Sequence, residues 1–375
     1  MRFILLQSDI NVSIAGTCVP LHTMNNLRYL TLEALQAQLA DWGEPRFRAK
    51  QIYDWLWKKF VGDIQEMTNL PKGLRDKLAE RYFIPKVKIH HSQYSADGTI
   101  KNRLVLHDSY FTESVLIPTE KRMTACVSSQ VGCSLSCKFC ATGYLPRKRN
   151  LDYDEIVDEV VSVNEQALKH YGKGLTNIVF MGMGEPLLNY KNVLQAIEKI
   201  TSPEGLGMSP RRITVSTAGV AKMIRKLGDD QVRFKLALSL HAANDLKRNE
   251  IMPINETNSL KELVDALNYF YLMTKNEITF EYILFKDFND SLKDAEDLVK
   301  LYRRVPADLV NIIEYNPISA ADFQKPDEAV TEKFMRYLES KKVNARLRRS
   351  RGKDINAACG QLANVDHPEV VASVS

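Results

Sequence analysis

Met123-Thr-Ala-Cys126-Val-Ser-Ser-Gln-Val-Gly-Cys133-Ser-Leu-Ser-Cys137-Lys-Phe-Cys140 begins as a strand and ends as a thiol-rich loop. Residues Met123–Ser129 are short and largely apolar or β-compatible, as a buried parallel strand requires. From here onward strand and helix alternate. Further strands are predicted at Asn177–Met183, Arg212–Thr217, Phe234–His241, Ile278–Phe285 and Val310–Tyr315. The segments between them repeat apolar residues at helical spacing, as in Ile156, Val160, Val163 and Ala167, and Asp152 with Glu155 makes a capping-box pattern. Six such units imply a parallel sheet with helices outside it. Six is short of the eight that close a barrel. The expected fold is therefore α/β, a partial (β/α)6 TIM-like barrel. Reactive groups in such sheets lie at the carboxyl ends of the strands. The polar motifs fall there: Cys133–Cys140, Gly182–Pro186, Ser216, Ser239-Leu240-His241 and Asn316-Pro317.

Upstream, residues 30–84 read as a small helical unit with helices over Leu32–Leu39, Arg48–Phe60 and near Leu74–Tyr82. Its Arg and Lys residues are interleaved with Trp42, Phe47, Tyr53, Trp55 and Trp57, which suits either a solvated face around an aromatic core or an RNA-contacting module. Residues 86–118 alternate like strands around an Asp97-Gly98 turn. The expected divisions are an extension (1–27), a helical domain (28–85), a β-hairpin extension (86–118), a core (119–345) and a basic carboxyl-terminal segment (346–375).

The 375 residues carry a net charge of only +5, so nucleic-acid binding has to be argued from local patches. Two stand out: Lys341, Lys342, Arg346, Arg348, Arg349, Arg351 and Lys353 in one tract, and Arg147-Lys148-Arg149 beside the cysteine loop. The apolar Phe3–Leu6 is broken at once by Gln7, Ser8 and Asp9, which is too short for a signal peptide, and Met24 could be the physiological start. No run is long enough to span a bilayer, and a cytoplasmic protein with no membrane association is expected.

Four of the six cysteines, Cys126, Cys133, Cys137 and Cys140, fall within fifteen residues. In a reducing compartment such a cluster points to metal or redox chemistry. Cys133, Cys137 and Cys140 supply three soft ligands, which suit an iron–sulfur cluster, zinc or copper(I). A zinc knot would need Cys126 as fourth ligand, yet Cys126 sits inside the predicted strand. In Met181-Gly-Met-Gly184-Glu185-Pro186 the third glycine of a dinucleotide fingerprint is missing and Pro186 occupies the helix start.

The C-x3-C-x-(aromatic)-C loop after a first strand, with Phe139 in the aromatic position, resembles the radical-SAM superfamily, in which S-adenosylmethionine (SAM) is cleaved reductively. Cys126-Val-Ser-Ser-Gln-Val-Gly-Cys133, Phe180-Met-Gly-Met-Gly-Glu-Pro-Leu187, Ser239-Leu-His241 and Ala357-Ala-Cys359-Gly-Gln-Leu362 together resemble the RlmN family of RNA adenine C2-methyltransferases, from about residue 28 to 364. The resemblance implies a 4Fe–4S cluster on Cys133, Cys137 and Cys140, and SAM against Gly184, Glu185, Ser216, Ser239, Leu240, His241 and Asn316. It implies Cys359 as methyl carrier, Cys126 as its partner thiol, Glu113 as proton acceptor, and a Cys126–Cys359 disulfide after each turnover. Two SAM are used per turnover, one as methyl donor and one as radical source. The implied substrates are 23S rRNA (adenosine 2503, peptidyl-transferase centre) and adenosine 37 of tRNA, with a flavodoxin-type electron donor and a monomeric enzyme. Alternatives are a C8-methylating enzyme of the sister Cfr type and a non-catalytic iron–sulfur or zinc RNA-binding protein.

Overall fold

The computed structural model describes residues 11–14, 17–20 and 25–364. Most of the expected extension 1–27 lies outside the described residues. The chain forms two compact units, Met1–Val87 with Lys199–Gly207, and Lys88–Glu198 with Met208–Ser375.

The smaller unit packs three helices, α1 (Leu32–Asp41), α2 (Phe47–Trp57) and α3 (Lys72–Ala79). Thr31 caps α1 through the Ala34 amide, and Pro71 opens α3. Leu35, Leu39, Ile52, Leu56, Leu74 and Leu78 are buried at one-turn spacings and supply the core. α2 stops at Trp57, short of the expected Phe60, because Phe60 takes a positive φ of 51° that a continuing helix cannot hold. Tyr82-Phe83 leaves the helical pattern to pair with Asn25-Asn26. Cations cover the aromatic faces: Lys59 lies over Trp55, and Lys77 and Arg81 lie over Trp42.

The larger unit is built on one ten-stranded sheet: β1 (Lys88–Tyr94), β2 (Ile100–Val105), β3 (Phe111–Pro118), β4 (Met123–Cys126), β5 (Asn177–Phe180), β6 (Ile213–Thr217), β7 (Lys235–Ser239), β8 (Ile278–Leu284), β9 (Leu309–Glu314) and β10 (Ala345–Arg348). Spatial order repeats chain order from β1 to β10. β1 to β4 pair antiparallel and β4 to β10 pair parallel. The expected hairpin region thus continues the same sheet, and the six expected strands are β4 to β9. β10 is a seventh parallel strand inside the basic tract.

Helices α4 (Tyr153–Tyr171), α5 (Tyr190–Thr201), α6 (Ala221–Asp229), α7 (Asp245–Ile251), α8 (Leu260–Thr274), α9 (Leu292–Tyr302) and α10 (Glu328–Ser340) fill the connections. Capping boxes open α4 (Asp152/Glu155), α8 (Ser259/Glu262) and α9 (Ser291/Asp294), each contributing about 1 kcal/mol to where its helix begins. Among the described residues no helix is long and apolar enough to cross a membrane.

Alternation along β8 sets the site. All seven residues of Ile278–Leu284 are buried, and Thr279, Glu281 and Ile283 line cavities within the sheet's curve. One rung of the ladder runs Ser239, Glu281, Asn311, Arg346 across β7 to β10.

Candidate active site at the carboxyl ends of the parallel strands

Beyond β4 the chain turns into the cysteine loop. Phe139 anchors it, its ring 4.7 Å edge-on from His241 and 5.6 Å from Phe285, while the Lys138 amide donates to the Ile251 carbonyl at 3.0 Å. Cys133, Cys137 and Cys140 then line one cavity of about 150 Å3, shared with Gly184, Glu185, Ser216, Ser239, His241 and Cys359. Burial, reinforced by neighbouring thiols, pushes Cys133 up to about 11, and burial raises Cys137 and Cys140 as well. As bare groups they are protonated at neutral pH, and a bound cationic centre would be needed to hold them as thiolates.

Cys126 does not join this wall but lines a different cavity, so a four-cysteine zinc knot lacks its fourth ligand. Among the described residues, no three His, Cys, Asp or Glu side chains converge on a single-ion site. A four-iron cluster takes one thiolate per iron and asks for a wider triangle, which three cysteines around one cavity could provide.

Opposite the cysteines, Gly184 has φ +92°, and a Cβ there would stand 2.4 Å from the Gln130 Cβ, so only glycine permits the close approach. Gln130 fixes this turn by accepting from the Glu185 amide at 2.9 Å. Glu185 is buried, and its carboxyl accepts from the amides of Leu187 (3.0 Å) and Ala218 (2.7 Å). Burial raises its pKa against these bonds, so an ammonium group in the cavity would meet a carboxylate short of a counter-charge. Ser216 and Ser239 stand with their hydroxyls 3.2 Å apart.

The His241 Nδ1 accepts from the Ile283 amide at 3.1 Å, which places the proton on Nε2. Burial, then the nearby Arg248, lowers its pKa to about 3, so the ring is neutral at working pH. Two residues that sequence reading passed over hold these strand ends. Arg248, fully buried, donates to the carbonyls of Ala218 (2.5 Å), Leu240 (3.1 Å) and Ser239 (3.2 Å). Asn289 donates to the carbonyls of His241 (2.7 Å) and Ile283 (2.8 Å). Leu240 and Asn316 are not part of the cavity wall: Leu240 is packed away, and Asn316 donates to Ser350 Oγ (2.9 Å) and the Cys359 carbonyl (3.4 Å).

Cys359 belongs to two cavities at once. The second, about 640 Å3, is lined by Cys126, Cys359, Met181, Glu281, Asn311 and Arg348 and runs toward the amino-terminal ends of the strands. Cys126 packs with Ala357 and Leu362 of the Cys359 loop, and burial, then proximity to Cys359, pushes its thiol up to about 12. Both are free thiols. Arg348 pairs with Glu281 at 3.7 Å and lies within electrostatic reach of both sulfurs. Glu113, on β3, pairs with Lys101 (3.3 Å) and accepts from the amides of Ala363 (2.8 Å) and Asn364 (3.1 Å), so it holds the segment that follows Cys359.

The two basic runs are largely committed inside the fold. Arg149 bonds Glu155 and Asp108, Arg349 bonds Glu328, Lys353 bonds Glu314, and Arg351 donates to the carbonyls of Asp97 and Pro118. Several of these cations thus have a partner within the fold, whereas among the described residues the side chains of Lys148, Lys342 and Arg346 have no hydrogen-bond or ion-pair partner.

Residues 25–84 match the ribosomal RNA large subunit methyltransferase N-terminal domain, and residues 127–301 match the Radical SAM superfamily. The chain is 55% identical over 337 residues to "Probable dual-specificity RNA methyltransferase RlmN" of Cytophaga hutchinsonii, covering 90% of this chain and 92% of that one. It is 44% identical to "Dual-specificity RNA methyltransferase RlmN" of Geotalea uraniireducens, covering 90% and 96%. The crystal structure of a radical SAM methyltransferase from Sphaerobacter thermophilus superposes with a TM-score of 0.84 at 40% identity, covering 90% of this chain and 99% of that one. With the cysteine loop, the glycine–glutamate turn and a cysteine shared between two cavities, the chain belongs to the RlmN family of radical-SAM RNA methyltransferases.

Proposed function

We propose that the protein methylates C2 of adenosine in 23S rRNA and in tRNA, at the peptidyl-transferase centre and at position 37, through a methyl group carried on Cys359. The observation that carries this reading is the place of Cys359, on the wall of the cavity lined by the three-cysteine loop and equally on that lined by Cys126.

In this reading Cys133, Cys137 and Cys140 hold the 4Fe–4S cluster, and Gly184, Glu185, Ser216, Ser239 and His241 seat SAM, with Leu240 and Asn316 behind them. Cluster and SAM, two SAM per turnover, supply a transferable methyl group and a hydrogen-abstracting radical. Cys359 accepts the methyl on sulfur, assisted by the Arg348 charge beside it. Loss of one hydrogen atom then leaves a carbon radical on Cys359 that bonds to the adenine ring. Glu113 takes the ring proton, releasing the Ala363 and Asn364 amides to do so, and the radical adduct gives up its unpaired electron, for which the cluster held by Cys133, Cys137 and Cys140 would be the acceptor. Cys126 attacks the Cys359 sulfur as thiolate, the sulfur–carbon bond breaks, the released carbon takes a proton to complete the methyl group, and the resulting disulfide is reduced by two electrons for the next cycle. A flavodoxin-type protein supplies electrons to a monomeric, cytoplasmic enzyme.

The test is mass spectrometry of nucleosides from RNA treated with the reconstituted protein. 2-Methyladenosine is expected. 8-Methyladenosine instead would make the enzyme the C8 type, and no methylated adenosine would overturn the reading.

A further inference from the structure

We infer, on the reading that Glu113 takes the ring proton, that Lys101 is a positioning residue for that step. Its ammonium holds the carboxylate by one oxygen and the Cys359 loop by a carbonyl, so base and carrier keep their separation while the other oxygen reaches the ring.

Pairing in the antiparallel half of the sheet brings these groups to one face. Lys101 on β2 stands opposite Val115 on β3, and Val115 stands opposite Cys126 on β4. Residues directly opposed across a ladder point the same way, as do alternate residues along a strand. Lys101, Glu113, Val115 and Cys126 therefore share a face, and the Cys359 loop packs onto it through Ala357 and Leu362. Two strand spacings, about 10 Å, separate Lys101 from Cys126.

A lysine is rarely buried unless it is paired, and Lys101 is only 5% exposed. Its Nζ stands 3.3 Å from Glu113 Oε1 and donates to the Asn356 carbonyl at 3.4 Å. Arg103 is directly opposite Glu113 in the register, but its guanidinium lies over the Phe111 ring at 3.9 Å, and the carboxylate is met from the next rung by Lys101. The two oxygens of Glu113 thus have different tethers. Oε2 accepts from the amides of Ala363 and Asn364, in the segment after Cys359, whereas Oε1 is held from inside the sheet.

Once Oε2 lets its amides go, a carboxylate without another partner would be a bare charge in a buried setting, free to turn. The Lys101 contact is the one that survives this movement. The same Nζ reaches Asn356, three residues before Cys359, a second contact that a plain counter-ion would not need. Lys101 itself neither gives nor takes a proton. The ring proton goes to Oε2, and the C–H bonding pair stays with the ring.

The probe is an anticodon stem-loop RNA with adenosine at position 37, prepared with hydrogen or deuterium at C2 of that base and given to the reconstituted enzyme. Product is followed as 2-methyladenosine, with iron content and Cys359 methylation read separately. Lys101→Met should keep its iron and methylate Cys359, yet form product on the order of a hundredfold more slowly, the scale of a misplaced catalytic group. Deuterium should slow this variant by a larger factor than it slows the wild type, because removal of the ring hydrogen has become the slow step. Lys101→Arg, which keeps the charge, should recover most of the rate and lose the extra isotope effect. Product formed by Lys101→Met at the wild-type rate, or more slowly without a larger isotope effect, overturns the assignment. If Lys101→Met takes up no iron, Lys101→Gln is measured in its place, and failure of both makes the lysine structural, which overturns it as well. A wild-type chain that forms no 2-methyladenosine overturns the underlying reading and this inference together.

Discussion

The amide of Ala141 donates to the carbonyl of Gly360 at 2.7 Å, tying the loop of Cys140 directly to the loop of Cys359. Gly360 takes φ +83°, and a Cβ there would meet the Phe139 carbonyl oxygen at 3.3 Å. Gly360→Ala should therefore cost about 1–2 kcal/mol locally. Expected is a normal iron content with slower methylation of Cys359, measured by intact-protein mass spectrometry. Loss of iron in parallel with methylation would show that the two loops fold as one.

Anaerobic reconstitution should give a brown protein with about four irons per chain, and Cys140→Ala should lose them. Tight uptake of a single zinc without charge-transfer absorbance would sink the cluster assignment and the chemistry built on it.

Cys126→Ala should trap the enzyme on its RNA. Cys359 can still carry carbon to the ring, but no thiol remains to release it. A nuclease-sensitive upward shift on a denaturing gel should appear only with SAM and reductant, and should vanish in the Cys126→Ala/Cys359→Ala double variant. Because burial pushes the Cys126 thiol up to about 12, its thiolate is scarce at neutral pH, and release in the wild type should quicken as pH rises. An inactive single variant with no adduct would place Cys126 before ring attack.

Acid stability should report His241. Its folded pKa, lowered to about 3, lies below the ordinary 6.5, so the unfolded chain binds the extra proton between these values. The contribution is complete above about 6.5 and is lost as pH falls toward 3, by roughly 1.4 kcal/mol per pH unit in that window. His241→Asn should lose less stability than wild type between pH 6 and pH 4 in urea titrations. Parallel losses would show that another group titrates.

The strand–helix alternation made β4 to β9 legible, because buried parallel strands are apolar runs with polar residues at their exits. β10 was not, since Ala345-Arg-Leu-Arg348 is only four residues long and half cationic, so it merged with the basic tract around it; one edge is unpaired, and Arg346 and Arg348 line the cavity. The residues around the cysteine loop could be found from their spacing. Arg248 and Asn289 could not, because their work is to satisfy carbonyls at the ends of other strands, a fact of tertiary structure alone. The partners of the basic tract were hidden for the complementary reason. Charge is visible in a sequence, but Glu328, Glu314 and the Asp97 carbonyl, which consume it, are distant along the chain.

Since strand order in space repeats order along the chain, synthesis lays the larger unit down like courses of brick, each strand arriving beside the one before it. The cysteine loop and the glycine–glutamate turn are complete long before Cys359 leaves the ribosome. A nascent chain halted at Ala345 would present an open cup to the machinery that delivers iron, and the Cys359 loop, arriving last, is the lid that shuts it.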